Sequence, residues 1–457
     1  MKTSFDDTIA AISSPLGQGG IGIIRMSGPG ARIILKKIFR PRKRARSFPS
    51  HRLHLGFVVD PGSGKDVDEV FAVYMEQPRT YTREDMAEVY SHGGLAAQKA
   101  ILAIMMDAGA RLAEPGEFTR RAFLNGRIDL AQAESVLDII ESESADELTC
   151  AVSHVKGLLS KRIGRIKVET QELLAEVEAQ IDFPEEEIEI RAYKWPDRLA
   201  EIVGSLSALV ASFYEGRAIK QGLDVLIVGR TNVGKSSLLN ALVLTERAIV
   251  TPVAGTTRDL LDDVINIRGI KFRITDTAGL RRPLDPIEKE GIDRVKRRIP
   301  DADICLWVLD ASDAYTGDDE AAYGEIEGKK VIAVLNKADL SRRMDEGIVL
   351  AKGLDRVSVS ALTGSGLEEL KDKLYAVFSD QGHNNSGLLV TNVRHRDALV
   401  RTEEALRRAR GCADAGEPVE FLAFELRDAL SCLGEITGET CSEELLDQIF
   451  SRFCIGK

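Results

Sequence analysis

The sequence predicts a multidomain α/β protein in which a domain of alternating strands and helices is inserted into an α-helical one. Three observations predict it. The 457 residues correspond to two to four domains at roughly 100–200 residues each. Apolar strand runs alternate with helical patterns between residues 219 and about 383. Helical spacing flanks that stretch on both sides, and the final stretch of about 70 residues is short for a domain of its own. Residues 120–218 and 384–457 are therefore expected to pack together around the insertion.

Composition limits the function classes. Hydrophobic residues are 44% and charged residues 29%, a globular balance that excludes a disordered, collagen-like or disulfide-stapled chain. The net charge of −11 argues against coating nucleic acid by bulk charge, but not against a local basic site. The first residues, Met1 to Asp7, lack the apolar core of a signal peptide. No stretch reaches the ~20 apolar residues of a membrane span, so no membrane association is expected. Cys150, Cys305, Cys412, Cys432, Cys441 and Cys454 form no CxxC pair, so structural zinc is not expected. A reduced, cytoplasmic chain follows, with cysteines as small buried apolar side chains.

The elements follow in order. Residues 1–119 mix short strands with loops: Ile21 to Met26 and Glu69 to Tyr74 read as strands, and Asp60-Pro61-Gly62-Ser63-Gly64 as a hairpin turn. A basic run precedes that turn, Lys36-Lys37, Arg40, Arg42-Lys43-Arg44 and Arg46, either a solvated helix end and loop or a tRNA- or phosphate-contacting patch. From 120 to 218, Leu159, Ile163, Ile166, Leu173, Val177 and Ile181 place one apolar stripe on a long helix. The acidic run Pro184-Glu185-Glu186-Glu187 interrupts it, and a second helical stretch covers 196–218. In 219–383, Val225 to Val228, Ile304 to Leu309 and Val331 to Leu335 read as strands buried on both faces. Ser379 to Gly387 reads as a linker into the helical tail.

The central domain carries a phosphate site. Gly229-Arg230-Thr231-Asn232-Val233-Gly234-Lys235-Ser236 is a complete GxxxxGK[ST] loop between a buried strand and a helix opening at Ser237. Its backbone N–H groups cradle phosphates, Lys235 reaches the β- and γ-phosphates, and Ser236 holds Mg2+. Asp276-Thr277-Ala278-Gly279 ends another strand: Asp276 suits an outer Mg2+ contact, and Gly279 a γ-phosphate contact. In Asn336-Lys337-Ala338-Asp339, Asp339 is placed to accept from the N1–H and 2-amino groups of guanine, which adenine lacks as a pair. Ser360-Ala361-Leu362 suits a backbone contact to guanine O6. Thr251-Pro252-Val253-Ala254-Gly255-Thr256-Thr257 supplies a switch, with Thr257 as a second Mg2+ ligand. The four motifs in this order predict GTP binding. Leu280 stands where many GTPases carry a water-orienting glutamine, so another group must place the water; Asp285, Glu288, Glu290 and Asp293 lie nearby.

The whole chain resembles the bacterial tRNA-modification GTPase family called MnmE or TrmE. The resemblance rests on Glu114-Pro115-Gly116-Glu117-Phe118-Thr119-Arg120-Arg121-Ala122-Phe123-Leu124-Asn125-Gly126, continuing through Asp129-Leu130 and Gln132-Ala133-Glu134. It rests also on Tyr81-Thr82-Arg83-Glu84-Asp85 with His92-Gly93-Gly94, and on the tail Phe453-Cys454-Ile455-Gly456-Lys457. It implies an amino-terminal α/β folate-binding and dimerisation domain (1–119), a helical domain (120–218 and 384–457) and an inserted Ras-like P-loop GTPase domain (219–383). It further implies a homodimer and a heterotetramer with the flavoprotein MnmG. Together the two install an aminomethyl or carboxymethylaminomethyl group at C5 of the tRNA wobble uridine.

Matched position by position, the resemblance implies a potassium site at Asn232, Thr251, Val253 and Thr256, and a water-positioning acid at Glu288. It implies contacts to 5-formyltetrahydrofolate or a related tetrahydrofolate from Arg25, Glu88, Arg127 and Lys457, with Cys454 near the one-carbon unit. Arg83 stands where the family usually has glycine, Ser91 where it often has cysteine, Arg127 replaces a lysine, and Arg282-Pro283 replaces a more acidic stretch. The alternative expectation is a regulatory or ribosome-assembly GTPase switch without modification chemistry, which needs neither the folate-like head nor the CIGK tail.

Overall fold

The computed structural model describes residues 6–15, 17, 19–42, 48–183, 194–246, 263–276, 298–379 and 388–457. The chain divides into two compact units. One is Met1–Glu141 with Ala151–Leu206 and Ala398–Lys457; the other is Ser142–Cys150 with Ser207–Asp397.

In the first unit, β1 (Ile9–Ile12), β2 (Gly19–Ser27), β3 (Phe39–Pro41), β4 (Arg52–Val59), β5 (Asp66–Met75), β6 (Met86–Gly93) and β7 (Arg111–Leu112) form one sheet. Its order is β3-β4-β5-β6-β2-β1-β7, antiparallel throughout except for β1 with β7. The β4–β5 turn forms where Asp60 predicts it, because that carboxylate accepts from the N–H of Gly62 at 2.9 Å. Ile24, Met26, Ala72, Ala87 and Val89 face one way and pack against Ile34, Leu35, Ile101 and Met105 of helices Ala31–Ile38 and Leu95–Asp107.

The predicted long helix runs Leu158–Asp182 and buries Leu159, Ile163, Ile166, Leu173 and Val177, whereas Ile181 is half-buried. Thr170 shares the stripe and satisfies its hydroxyl on the Ile166 carbonyl at 2.8 Å. This helix packs antiparallel to Val419–Thr437, with Lys167 paired to Glu439 and Glu178 to Arg427.

In the second unit, β8 (Leu223–Val228), β9 (Asp263–Ile267), β10 (Ile270–Asp276), β11 (Ile304–Asp310), β12 (Val331–Asn336) and β13 (Asp355–Ser358) form a sheet ordered β13-β12-β11-β8-β10-β9. Only β9 and β10 are antiparallel. The continuous apolar runs have a direct cause. Leu306 and Val334 enter a core on one face, Cys305, Trp307, Ala333 and Leu335 a core on the other.

Two expectations need correction. The single helical stretch over 196–218 is two helices, Trp195–Ala211 and Phe213–Gln221. At the break the Ser212 hydroxyl donates to the Leu209 carbonyl at 2.7 Å and accepts from the Val390 N–H at 3.1 Å, competing with the helical ladder. The cysteines are all free, but only Cys305 and Cys432 are buried; Cys150, Cys412 and Cys441 are half-buried and Cys454 is exposed. Burial pushes the Cys305 thiol up to about 11. Among the described residues no helix is long and apolar enough to cross a membrane.

Candidate functional site

Parallel strands bring their carboxyl ends to one edge, and the second unit's motifs lie there. The loop from Gly229 leaves β8 and enters helix Lys235–Glu246. It turns through left-handed backbone at Asn232 (φ 63°) and Gly234 (φ 95°). Only glycine fits the second position, because a Cβ there would lie 2.3 Å from the Asn336 Nδ2. Val233 and Lys235 are buried, while Ser236 and Ser237 open the helix at the surface. The Lys235 ammonium donates to the carbonyls of Gly229 and Arg230, each at 2.7 Å. It is thus held across the loop, where a phosphate oxygen offers the same kind of acceptor.

Asn336 ties three segments together. Its buried Nδ2 donates to the Val233 carbonyl at 2.8 Å, and its Oδ1 accepts from the Ala361 N–H at 3.1 Å. One amide at the end of β12 thus fixes the phosphate loop and the loop after β13. Lys337 sits at φ 64° and donates to Asp310 at 2.6 Å. Burial raises the Asp310 carboxyl, but its bonds from Lys337 and Ser312 outweigh that and hold it below the usual range. Asp339 is exposed, and its Oδ1 accepts from the buried Ser360 hydroxyl at 2.5 Å. That bond orients the carboxylate and leaves it acceptor capacity for a base edge.

Sequence reasoning missed Arg230. It pairs with Asp313 at 2.8 Å and with the buried Asp319 at 3.1 Å. Asp319 also closes the capping box with Thr316 at the start of helix Gly317–Ile326. The start of the phosphate loop is thereby pinned to the segment after β11. Asp276 ends β10. Thr251, Pro252, Val253, Ala254, Gly255, Thr256, Thr257, Thr277, Ala278, Gly279 and Glu288 lie outside the described residues.

The first unit holds a second constellation. Arg25 on β2 stands opposite Glu88 on β6, and its Nε donates to Glu88 Oε1 at 2.8 Å. The Tyr90 hydroxyl donates to Glu88 Oε2 at 2.6 Å. Burial and that carboxylate push the Tyr90 phenol up to about 12, so it stays a neutral donor. Arg25 lies 5.8 Å from the ring centres of both Tyr81 and Phe118. Arg127 lies 4.7 Å from the same Tyr81 ring, a contact that suits a planar guanidinium better than an ammonium. Tyr81 and Phe118 belong to runs the sequence singled out, but no spacing rule gave them this place.

The carboxyl terminus comes to the same segment. Ile455 bridges Pro115, and the Phe118 N–H donates to the Lys457 carbonyl at 3.2 Å. Gly456 (φ 97°) is held by the Ser13 hydroxyl on its carbonyl at 3.0 Å, and a Cβ there would lie 2.4 Å from the Ile12 carbonyl oxygen. Cys454 is exposed and accepts through its carbonyl from the Gly116 N–H at 3.5 Å.

An ion network centres on the signature's Arg121. The Arg121 side chain is 0% exposed and pairs with Asp7 at 2.7 Å, Glu117 at 2.8 Å and Glu84 at 3.3 Å. Arg111 joins through Glu117 and Asp7, each at 2.7 Å.

Comparison with known proteins covers both units. The family model of the MnmE helical domain matches residues 130–454, and that of the GTP-binding protein TrmE N-terminus matches residues 8–127. A tRNA modification GTPase MnmE from Geobacter sulfurreducens is 47% identical over 460 residues, covering 99% of each chain. Proteins of the same name from Geotalea uraniireducens and Heliobacterium modesticaldum are each 44% identical, again with 99% of both chains covered.

Proposed function

The chain belongs to the MnmE family of tRNA modification GTPases, and from that premise we propose that its GTP hydrolysis is potassium-stimulated and serves wobble-uridine chemistry. With the flavoprotein MnmG, it adds an aminomethyl or carboxymethylaminomethyl group at C5, drawing the one-carbon unit from a tetrahydrofolate. The carrying observation is that one chain holds both constellations. A GTP-driven switch needs the phosphate loop and Asp339, but it has no use for Arg25, Glu88, Tyr90, Tyr81 and Arg127 gathered beside a docked carboxyl tail.

The proposed roles follow from the donors. Asn336 holds the phosphate and base loops in one frame, and Asp339 reads guanine. Hard oxygen donors suit both cations: the Ser236 hydroxyl, with Thr257, for Mg2+, and the amide of exposed Asn232, with Thr251, Val253 and Thr256, for K+. Bound there, the cations would offset phosphate charge that an arginine finger offsets elsewhere. Glu288 positions the attacking water in place of the missing glutamine, acting through a bridging water when two GTPase domains meet.

In the first unit, Glu88 accepts from pterin N–H groups. Arg25, Arg127 and Lys457 suit the folate carboxylates, and Cys454 lies near the one-carbon unit. We assign residues 1–119 to folate binding and homodimerisation, 120–218 with 384–457 to the helical domain, and 219–383 to the GTPase domain, in a cytoplasmic heterotetramer with MnmG. GTP cycling moves the inserted domains between apart and docked states and gates the folate–flavin chemistry.

Wobble-nucleoside analysis of a deletion strain tests the reading. Loss of the C5 substituent is expected, and an unchanged profile would favour a switch without modification chemistry. GTP turnover in K+ against Na+ tests the cation, and equal rates would sink that part. Glu288→Ala should lower turnover while GTP binding persists.

A further inference from the structure

We propose that the solvent face of the first half of helix Leu158–Asp182 docks the sugar–phosphate backbone of tRNA, through Lys156, Lys161, Arg162 and Arg165. The inference rests on the tRNA reading above and adds a surface to it. Residues 148–168 contain five lysines and arginines and no acid, in a chain of net charge −11. Leu159, Ile163 and Ile166 face the core, which sends Lys161 and Arg165, one turn apart, to solvent, with half-buried Arg162 on the flank of that face. Lys156 is exposed in the turn just before the helix.

Pairing separates this face from the basic cluster on helix Val393–Ala415. Arg396, Arg401, Arg407, Arg408 and Arg410 of helix Val393–Ala415 each bond a carboxylate. In the amino-terminal basic run, Arg40 and Arg42 pair with Asp66 and Glu69, Lys36 and Lys37 make no ion pair among the described residues, and Lys43, Arg44 and Arg46 lie outside them. Lys156, Lys161, Arg162 and Arg165 make no ion pair among the described residues.

Helix stability does not account for them. Cations in the amino-terminal half oppose the helix dipole, and Glu169, Glu172, Glu176, Glu178 and Asp182 crowd the wrong end as well. Like charges one turn apart repel in addition. An unpaired cationic stripe of this kind complements a row of phosphates, which neutralise it while releasing counterions.

The test is the triple variant K161Q/R162Q/R165Q of the full chain, since glutamine keeps helix propensity and removes only charge. A variant of equal charge change, R401Q/R407Q/R410Q, serves as control. Binding of a tRNA transcript is measured across a salt series, with GTP affinity and circular dichroism as checks. The triple variant should bind tRNA at least about tenfold more weakly, with the salt slope reduced by about 2–3 and GTP affinity unchanged. The control should stay within about twofold.

An unchanged tRNA isotherm in the triple variant overturns the inference, including when the variant instead loses an acidic protein partner. So does a wild type that fails to retain tRNA. The wobble-nucleoside profile of the deletion strain decides the parent reading separately.

Discussion

At the carboxyl edge of the six-stranded sheet, the described candidate groups lie at a strand end or in the segment that follows it. On the seven-stranded sheet, the candidate groups come from Arg25, Tyr81, Glu88, Arg127 and Lys457, spread from the first strands to the last residue. The first arrangement is defined by backbone and by one amide, Asn336. The second is defined by side chains, and the helix that brings Phe118 under Arg25 also carries the buried Glu117 and Arg121. Binding and folding are therefore separable in the second unit and coupled in the first.

The largest expected effect tests the separable side. Asp339 is exposed and contributes one bond, from Ser360. Asp339→Asn should lower GTP affinity about a thousandfold or more, because one of the two guanine donors then meets an amide N–H instead of an acceptor. Affinity should shift toward xanthosine triphosphate, whose 2-oxo group accepts from the new amide. Thermal stability should change little, by about 0.5 kcal/mol or less. Nucleotide titrations and a melting curve check both parts, and an unaltered base preference would remove Asp339 from the site.

The next effect tests the coupled side. Arg121→Met leaves Asp7, Glu84 and Glu117 without their shared cation, and should cost the first unit about 3–5 kcal/mol. Folate binding should fall with it, while GTP affinity holds. The pH dependence has a definite sign. Burial raises the Asp7 and Glu117 carboxyls, but bonds from Arg111 and Arg121 outweigh it, so both lie below their ordinary values. Groups lowered on folding stabilise fully above the unfolded values, and that stability is lost as pH falls through the folded ones, below about pH 4. Acid unfolding of the wild type should show this loss, and Arg121→Met should show less of it. Equal acid sensitivity would mean that Arg111 alone sets the two carboxyls.

The same contrast explains what was legible in the sequence. Continuous apolar runs and phosphate-loop spacing are local signals, and they located β8, β11 and β12 and the residues at their ends. The stripe on Leu158–Asp182 was equally local. The break at Ser212 was not, since helical spacing runs through it and its partner is Val390, far along the chain. The Arg25–Glu88 pair depends on the register of two strands more than sixty residues apart, so only family resemblance pointed to both. Arg230 with Asp319 is similar: the capping box at Thr316 was there to be found, but the arginine that shares its acid was not.

The smallest effect concerns Arg83. Its backbone is left-handed (φ 60°), the region where a side chain costs most and glycine least. Its guanidinium donates to the Asn125 carbonyl at 3.0 Å, while the Asn125 amide donates to the Thr82 carbonyl at 2.7 Å. That contact joins the loop carrying Tyr81 and Glu84 to the signature helix. Arg83→Ala keeps the strained backbone and loses the bond, for a cost of about 1 kcal/mol. Arg83→Gly loses the same bond but relieves the strain, and should be more stable than the alanine variant by about 1 kcal/mol. Urea unfolding followed by a probe in the first unit compares the two. An alanine variant at least as stable as the glycine one would show that the Arg83 backbone is unstrained, and that the hydrogen bond alone explains the arginine.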